Sequence, residues 1–441
     1  MKDSAKSNDL GLSEPYEDLV VPILEQAAAH DPRRKNAKHT ALDALKMGFA
    51  VFHLKAPSLN AFRPRLERED HNLKSIFNIG ELPSDNGLRN ILDVLPASTL
   101  NEGFKKVLPF LEKRGKLADY YCWNGHLTCS IDGVVHQCSN KVKCECCLEK
   151  KHRNKSVSYS HAMLTAAVVC HGKREVFVVD NEPIIKQDGQ HKNDCERNAA
   201  GRLFKRMPAV FGSRPVVYVM DALYACAPLI KQIGDLEGPS SKYVINAKDK
   251  GNQHLFRQFD ALNEGGQIPW RKYTNQEGTF RFGYVNGLEL KASNAEVKTN
   301  FLYCRFKPRK GEEIIFSWVT NIELNADSVV AVMCLGRRSR WKVENEVFNT
   351  LKNQEYNYGH NFGHGSQHLA TNFAYLMMLA FTVDQLRQCC SRTFSRVFKK
   401  LTTRVRVWEV CRAVFRMVTC QDMADFERNL LLTCGLRVAS G

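Results

Sequence analysis

The sequence predicts an α/β fold: a small helical N-terminal domain, a core of mixed strands and helices, and a mostly antiparallel β subdomain inserted into that core. Three observations predict it. Residues 126–221 run as strand, hairpin, helix, strand, with an Asp closing the first and the last apolar strand. Residues 242–325 carry four runs of strand character, one with an Asn286-Gly287 turn inside it. Residues 19–117 carry helical periodicity instead. Strand, hairpin, helix, strand is the opening of an RNase H-like core, in which the first and fourth strands lie side by side, so Asp132 and Asp221 are expected to be neighbours.

A chain of 441 residues with 44% hydrophobic content is long enough for two or three domains and a large core. Its 63 Lys and Arg against 47 Asp and Glu give a net charge of +16. That excess calls for an acidic partner, nucleic acid first and an anionic membrane surface as the weaker alternative. Sixteen cysteines stand in a chain whose N-terminus is polar and shows no signal peptide, so they read as reduced cytoplasmic thiols. The apolar run 373–381 is about half of what spans a bilayer and reads as a buried helix, with no membrane partner.

In order along the chain, residues 1–16 lack apolar periodicity and read as a mobile tail. Residues 17–118 form the helical domain, with Asp85 and Ser98 as expected N-caps and basic loops at 31–40 and 62–74 suited to phosphate contacts. The first part of the core, 119–241, holds the strand 126–133 ending in Asp132, a Cys-rich insertion at 136–161, and a hairpin turning at His171-Gly172-Lys173. A helix capped by Asp194 follows, then the strand ending in Asp221. The inserted β subdomain spans 242–325, and 326–386 returns to the core. From 387 to 441 the chain reads as a basic helical tail; between Arg387 and Arg416 nine Lys or Arg face one acid, Glu409.

The segment 338–352 carries the third carboxylate. At 100° per residue, Arg337, Arg340, Glu344, Phe348 and Leu351 form one stripe, which by itself is an amphipathic helix with an Arg–Glu pair. Combined with Asp132 and Asp221, Glu344 completes a set of three carboxylates from two adjacent strands and a helix. Such a set can hold two divalent ions for in-line attack on a phosphodiester, and hard oxygen ligands select Mg²⁺ or Mn²⁺.

With these residues in place the sequence resembles a DDE transposase of bacterial insertion sequences, in the subgroup with a β-strand insertion between the second Asp and the Glu. The resemblance runs from DPRRKNAKHTALDAL through GHNFGHGSQHLA. Its motifs are IDG, KNDCERNAAGRLF, MDALYA, and RW followed by VEN, Phe and a downstream Lys. It implies Asp132, Asp221 and Glu344 as catalytic and metal-binding residues. It also implies DNA contacts from Arg337, Arg340 and Lys352. Two departures stand out: Arg337 occupies the place of a family Tyr, and Lys352 lies eight residues after Glu344 where the family has seven. The subgroup also has a Trp in the inserted sheet that stacks on a flipped base. Phe316 holds that place here and Trp318 lies on the same strand face, so either stacks or both are core aromatics.

The Cys-rich insertion offers Cys144 and Cys147 in a C-x-x-C with His152 and His161 nearby, which either hold Zn²⁺ or pack as thiols. His360, His364 and His368 are interrupted by glycines and read as a phosphate-contacting turn. The expected activity is Mg²⁺-dependent cleavage at element ends and joining of 3′-hydroxyls to target DNA. The partners are double-stranded terminal inverted repeats and target DNA, bound by a homodimer in the bacterial cytoplasm and nucleoid, as the resemblance implies. The alternatives are a nuclease of the same fold that only hydrolyses, and a non-catalytic DNA-binding descendant.

Overall fold

The architecture comes from a computed structural model that describes residues 13–186, 193–236 and 241–437. It is mixed α/β, built on one mixed sheet of eleven strands. In chain order these are β1 (Tyr121–Trp123), β2 (His126–Ser139), β3 (Leu148–Lys151), β4 (Val157–Val169), β5 (Phe177–Ile184), β6 (Val216–Met220), β7 (Ser241–Asn246), β8 (Trp270–Thr274), β9 (Gly278–Glu289), β10 (Lys298–Pro308) and β11 (Ile314–Thr320). The spatial order is β3-β4-β2-β6-β7-β11-β10-β9-β8, with β1 on β2 and β5 on β4.

The central strands follow from their composition. β6, Val-Val-Tyr-Val-Met, is buried at every residue, as a strand covered on both faces must be. It runs parallel to β2 on one side and to β7 on the other. β2 and β4 are joined as a long antiparallel ladder from Thr128↔Val169 to Ser139↔Tyr159, with a bulge at His136 that shifts the register.

The strands of 242–325 continue the same sheet. β7 is a parallel core strand, and β11 pairs with it antiparallel, so that β8–β11 extend one edge. This segment also contains a helix, Gln253–Glu264, whose Leu255 and Phe259 are buried against the sheet. A second, smaller apolar cluster forms here, with Phe280, Phe282, Leu302 and Trp318 meeting Val329 and Val332 of the Ser328–Cys334 helix.

The helices on either side of the sheet region share one core. The buried cluster runs from Tyr16 to Cys434 and centres on the helix Leu369–Cys390, buried at nearly every residue. Lys55 and Asp384 form a fully buried ion pair at 2.7 Å, with Lys55 Nζ also over the rings of Tyr356 and Trp408. Asn72 donates to the carbonyls of Phe415 and Val418, tying the Asp70–Phe77 helix to the Arg404–Met417 helix. The basic C-terminal residues are therefore built into packed helices instead of a free tail. Of the expected mobile tail, residues 1–12 lie outside the described residues, and Tyr16 is buried.

Several helix caps fall one or two residues from their expected places. Ser84, and not Asp85, accepts from the Gly87 amide, and the chain enters the Ala97–Gly103 helix at Pro96, before Ser98. Cys195 is the N-cap residue of Glu196–Phe211, because Asp194 is drawn into an ion pair with Arg202 at 2.5 Å.

Candidate active site

The parallel pairing of β2 and β6 sets the site. Ser130 is opposite Val219, so Asp132 and Asp221 each lie two residues beyond the last β2–β6 pair. Asp221 directly follows β6, whereas Asp132, expected to end its strand before a Gly turn, sits mid-way along β2, which continues through Gly133 to Ser139 because β4 keeps pairing with it. Adjacent strands are about 4.8 Å apart, and period-2 alternation puts both side chains on one face. Each carboxylate is fixed by a backbone amide. Asp132 accepts from Gly133 at 2.9 Å, and Asp221 caps a short turn by accepting from Leu223 at 2.7 Å.

A third carboxyl joins them. Glu196, at the start of the helix after β5, accepts from the Tyr224 hydroxyl at 2.9 Å. Its carboxylate lies so close over Gly133 that a Cβ there would come within 2.6 Å of Glu196 Cδ. Burial first, and then the charges of Asp221 and Glu196, raise the Asp132 carboxyl to about 6, against lowering by the Gly133 amide and Arg340. Glu196 is itself raised, by burial first and by Asp221, with Tyr224 opposing. Three carboxyls thus share one partly buried corner, with Arg340 acting on Asp132 from the covering segment. Sequence reasoning missed Glu196, which reaches this corner only through the packing of its helix start over Gly133.

Glu344 lies on the segment that covers this end of the sheet. The Ser130 hydroxyl donates to the Arg340 carbonyl at 2.8 Å, and the turn Val343–Phe348 packs on β2 and β4. Arg340 is buried and acts electrostatically on Asp132, its guanidinium 4.0 Å from the ring of Trp341. Trp341 itself is 44% exposed. Glu344 is exposed, and among the described residues it forms no ion pair with Arg337 or Arg340. The expected single stripe fails because both Leu335–Ser339 and Val343–Phe348 are π-helical. The bonds Arg340 N–Leu335 O and Asn349 N–Glu344 O span five residues, so each residue advances by less than 100°.

The other predicted DNA contacts divide. Arg337 is held by Glu277 at 2.6 Å and lies over the rings of Phe280, Phe306 and Phe316, so its charge is engaged by the β9 side of the sheet and not beside Glu344. Lys352 is exposed on the short helix Asn349–Asn353. Trp318 is 1% exposed and lies against the backbone of Gly336, which leaves it a core residue and not a platform for a base. Phe316 is half-buried, stacked on Trp318 at 5.8 Å and beneath Arg337.

A second cluster forms from the Cys-rich insertion. Cys144, Cys147 and His161 meet as expected, but His152 does not join them; its Nε2 is 2.8 Å from Ser158 Oγ. The fourth member is His364, from the glycine-rich turn that was expected to contact phosphate. All sixteen cysteines are free thiols. A cavity of about 550 Å³ lined by Glu182, Arg206, Ser366 and Tyr375 lies nearby but contains none of Asp132, Asp221 or Glu344. Among the described residues no helix is long and apolar enough to cross a membrane. No protein-family model matches this chain, and no curated protein matches it in sequence.

Proposed function

We propose that this protein is a DNA transposase with an RNase H-like core, in which Asp132, Asp221 and Glu344 carry divalent-metal phosphoryl transfer. The observation that supports it most is the β2–β6 register, which sets two aspartates side by side just past the last parallel pair of these strands, near the Arg340–Glu344 segment. The donor set fits Mg²⁺ or Mn²⁺: the oxygens are hard, and Asp132, Asp221 and Glu196 act on one another electrostatically in one partly buried corner. Asp132 and Asp221 would hold the ions, with Glu344 as the ligand contributed by the covering segment. Bound there, the ions would lower the pKa of an attacking water or 3′-hydroxyl and stabilise the leaving oxygen.

The chain's own groups have separate parts in this reading. The Gly133 and Leu223 amides orient the two aspartates, so that little reorganisation is needed when DNA arrives. Glu196 adds negative charge from the β5 side and is itself oriented by Tyr224. Arg340 offsets part of the repulsion among the carboxylates in the absence of DNA. Trp341, exposed beside it, offers a face on which an unpaired base stacks. The net charge of +16 supplies the sequence-independent attraction to the duplex. Two copies acting on the two ends of an element complete the proposal.

Transposition and simple hydrolysis are separated by products. Short inverted repeats flanking the gene, supplied as labelled duplexes with a supercoiled target in Mg²⁺, should give nicked ends and then covalent donor–target joints. Cleavage without joints would favour a nuclease, and neither product would favour a DNA-binding role alone.

A further inference from the structure

We infer that Cys144, Cys147, His161 and His364 form a structural Zn²⁺ site that fastens the loop leaving the Glu344 segment to the sheet carrying Asp132. The site itself does not rest on the phosphoryl-transfer reading. One ligand atom from each residue lies within 4.8 Å of all the others. Cys144 Sγ is 3.7 Å from Cys147 Sγ and 3.2 Å from His161 Nε2, and Cys147 Sγ is 3.2 Å from His364 Nε2. A tetrahedral zinc with bonds of about 2.3 Å to sulfur and about 2.0 Å to nitrogen has edges of about 3.8 Å between sulfurs and about 3.5 Å between sulfur and nitrogen. The observed edges are within a few tenths of an ångström of those values.

The donors arrive from three separate places in the chain. Cys144 and Cys147 lie in the turn before β3, His161 on β4 and His364 in the 359–365 turn, 217 residues from Cys147. Thiolate and imidazole donors select zinc over Mg²⁺, and four protein ligands leave no open position for a reacting water, so the site is structural. Its surroundings match that role. The Gln137 side-chain amide is 2.7 Å from His364 Nδ1; with its oxygen turned to accept the Nδ1 proton, Nε2 is left free for the metal. The backbone amide of Cys144 donates toward Cys147 Sγ at 3.4 Å, as suits a thiolate. Immediately after His364, Asp93 accepts from the amides of Ser366, Gln367, His368 and Leu369, which holds the incoming loop at its other end.

The mechanical consequence follows from where Gln137 and His161 sit. They are paired across β2 and β4, on the same ladder as Asp132 and Thr165. Zinc would therefore fix the exit of the Glu344 segment against the strand that presents the first aspartate, and in the proposed enzyme it acts as a positioning device.

Full-length protein without an affinity tag, purified with no chelator from zinc-supplemented medium, tests this by elemental analysis. The expected content is about one zinc per chain. It should fall at least fivefold in Cys144→Ser and in His364→Ala, and remain whole in His152→Ala and Cys138→Ser. Reduced metal-free protein given one equivalent of Co²⁺ should show the absorption of a tetrahedral thiolate complex, lost in the same two variants. His364→Cys, which keeps four donors, should retain zinc and serves if His364→Ala fails to fold. Wild-type protein with less than a fifth of an equivalent of zinc and no Co²⁺ spectrum would overturn the site. Full zinc in both Cys144→Ser and His364→Ala would overturn it equally.

Discussion

Asp132→Asn removes one charge from the crowded corner and should stabilise the metal-free protein while abolishing its chemistry. The Asp132 carboxyl is raised from 3.8 to about 6, chiefly by burial and then by Asp221 and Glu196. An acid whose folded value lies above its unfolded value holds its proton more tightly when folded. The contribution of this group to stability is therefore most favourable below about pH 4, falls as pH rises through the interval up to about 6, and carries the full cost above it. At 1.36 kcal/mol per unit, that cost is about 3 kcal/mol at pH 7.5, an upper bound because neighbouring carboxyls relax when one charge leaves. Asn keeps an oxygen for the Gly133 amide, so no hydrogen bond is lost. Urea unfolding with EDTA at pH 7.5 should show the variant more stable by about 1–3 kcal/mol, and the gain should vanish near pH 4. A variant less stable than wild type at pH 7.5, or a gain that does not change with pH, would refute the electrostatic account of the site.

Other outcomes follow from the same geometry. Glu346→Gln should alter joining by less than about threefold, because Glu346 is occupied with Lys342 and Arg174 at 3.7 and 3.9 Å; a large loss would move the active carboxylate. Trp341→Ala should weaken binding to ends with unpaired bases by about 1–3 kcal/mol and leave fully paired duplex nearly unaffected, read by fluorescence anisotropy. With about eight phosphates neutralised per copy, log K against log salt should fall with a slope of about −7; a slope shallower than about −2 would mean the excess charge is not a DNA footprint. Asp384→Ala leaves Lys55 buried without its partner and should cost about 3–5 kcal/mol of stability, measured by denaturant unfolding.

What could be read from the sequence was what local pattern encodes. Asp132 and Asp221 were legible because each follows an apolar run and because the order strand, hairpin, helix, strand brings β2 and β6 together. That β2 runs on past Asp132 to Ser139 was not, since Gly133 reads as a turn until β4 is seen pairing beside it. The Arg340–Glu344 segment was located, but its winding was not, since 3.6-residue periodicity was assumed and nothing local marks where bonds spanning five residues replace those spanning four. Trp318 and Phe316 were correctly put on one strand face, as their stacking at 14° shows. Whether that face was open depended on Gly336, a distant residue whose missing side chain lets the Trp318 ring lie against the backbone. Glu196 and His364 were hidden for the same reason. Each reaches its cluster only through tertiary packing, Glu196 over Gly133 and His364 across to Cys147, and nothing local to either residue encodes its partner. The continuous sheet was hidden because β7 looks like any short apolar strand until β6 and β11 are seen on its two sides.

The central claim is that Asp132, Asp221 and Glu344 act together in phosphoryl transfer to DNA, and strand joining from a pre-cleaved end tests it most directly. A duplex of the flanking inverted repeat with a free 3′-hydroxyl bypasses cleavage and reports the chemical step alone. Wild type should join it to target DNA in Mg²⁺. Asp132→Asn, Asp221→Asn and Glu344→Gln should each fall by roughly three orders of magnitude or more, equivalent to about 4 kcal/mol of transition-state stabilisation, with end binding retained. Joining by Glu344→Gln at near the wild-type rate, with the two aspartate variants inactive, would contradict the three-carboxylate site and return the Val343–Phe348 turn to a purely structural role.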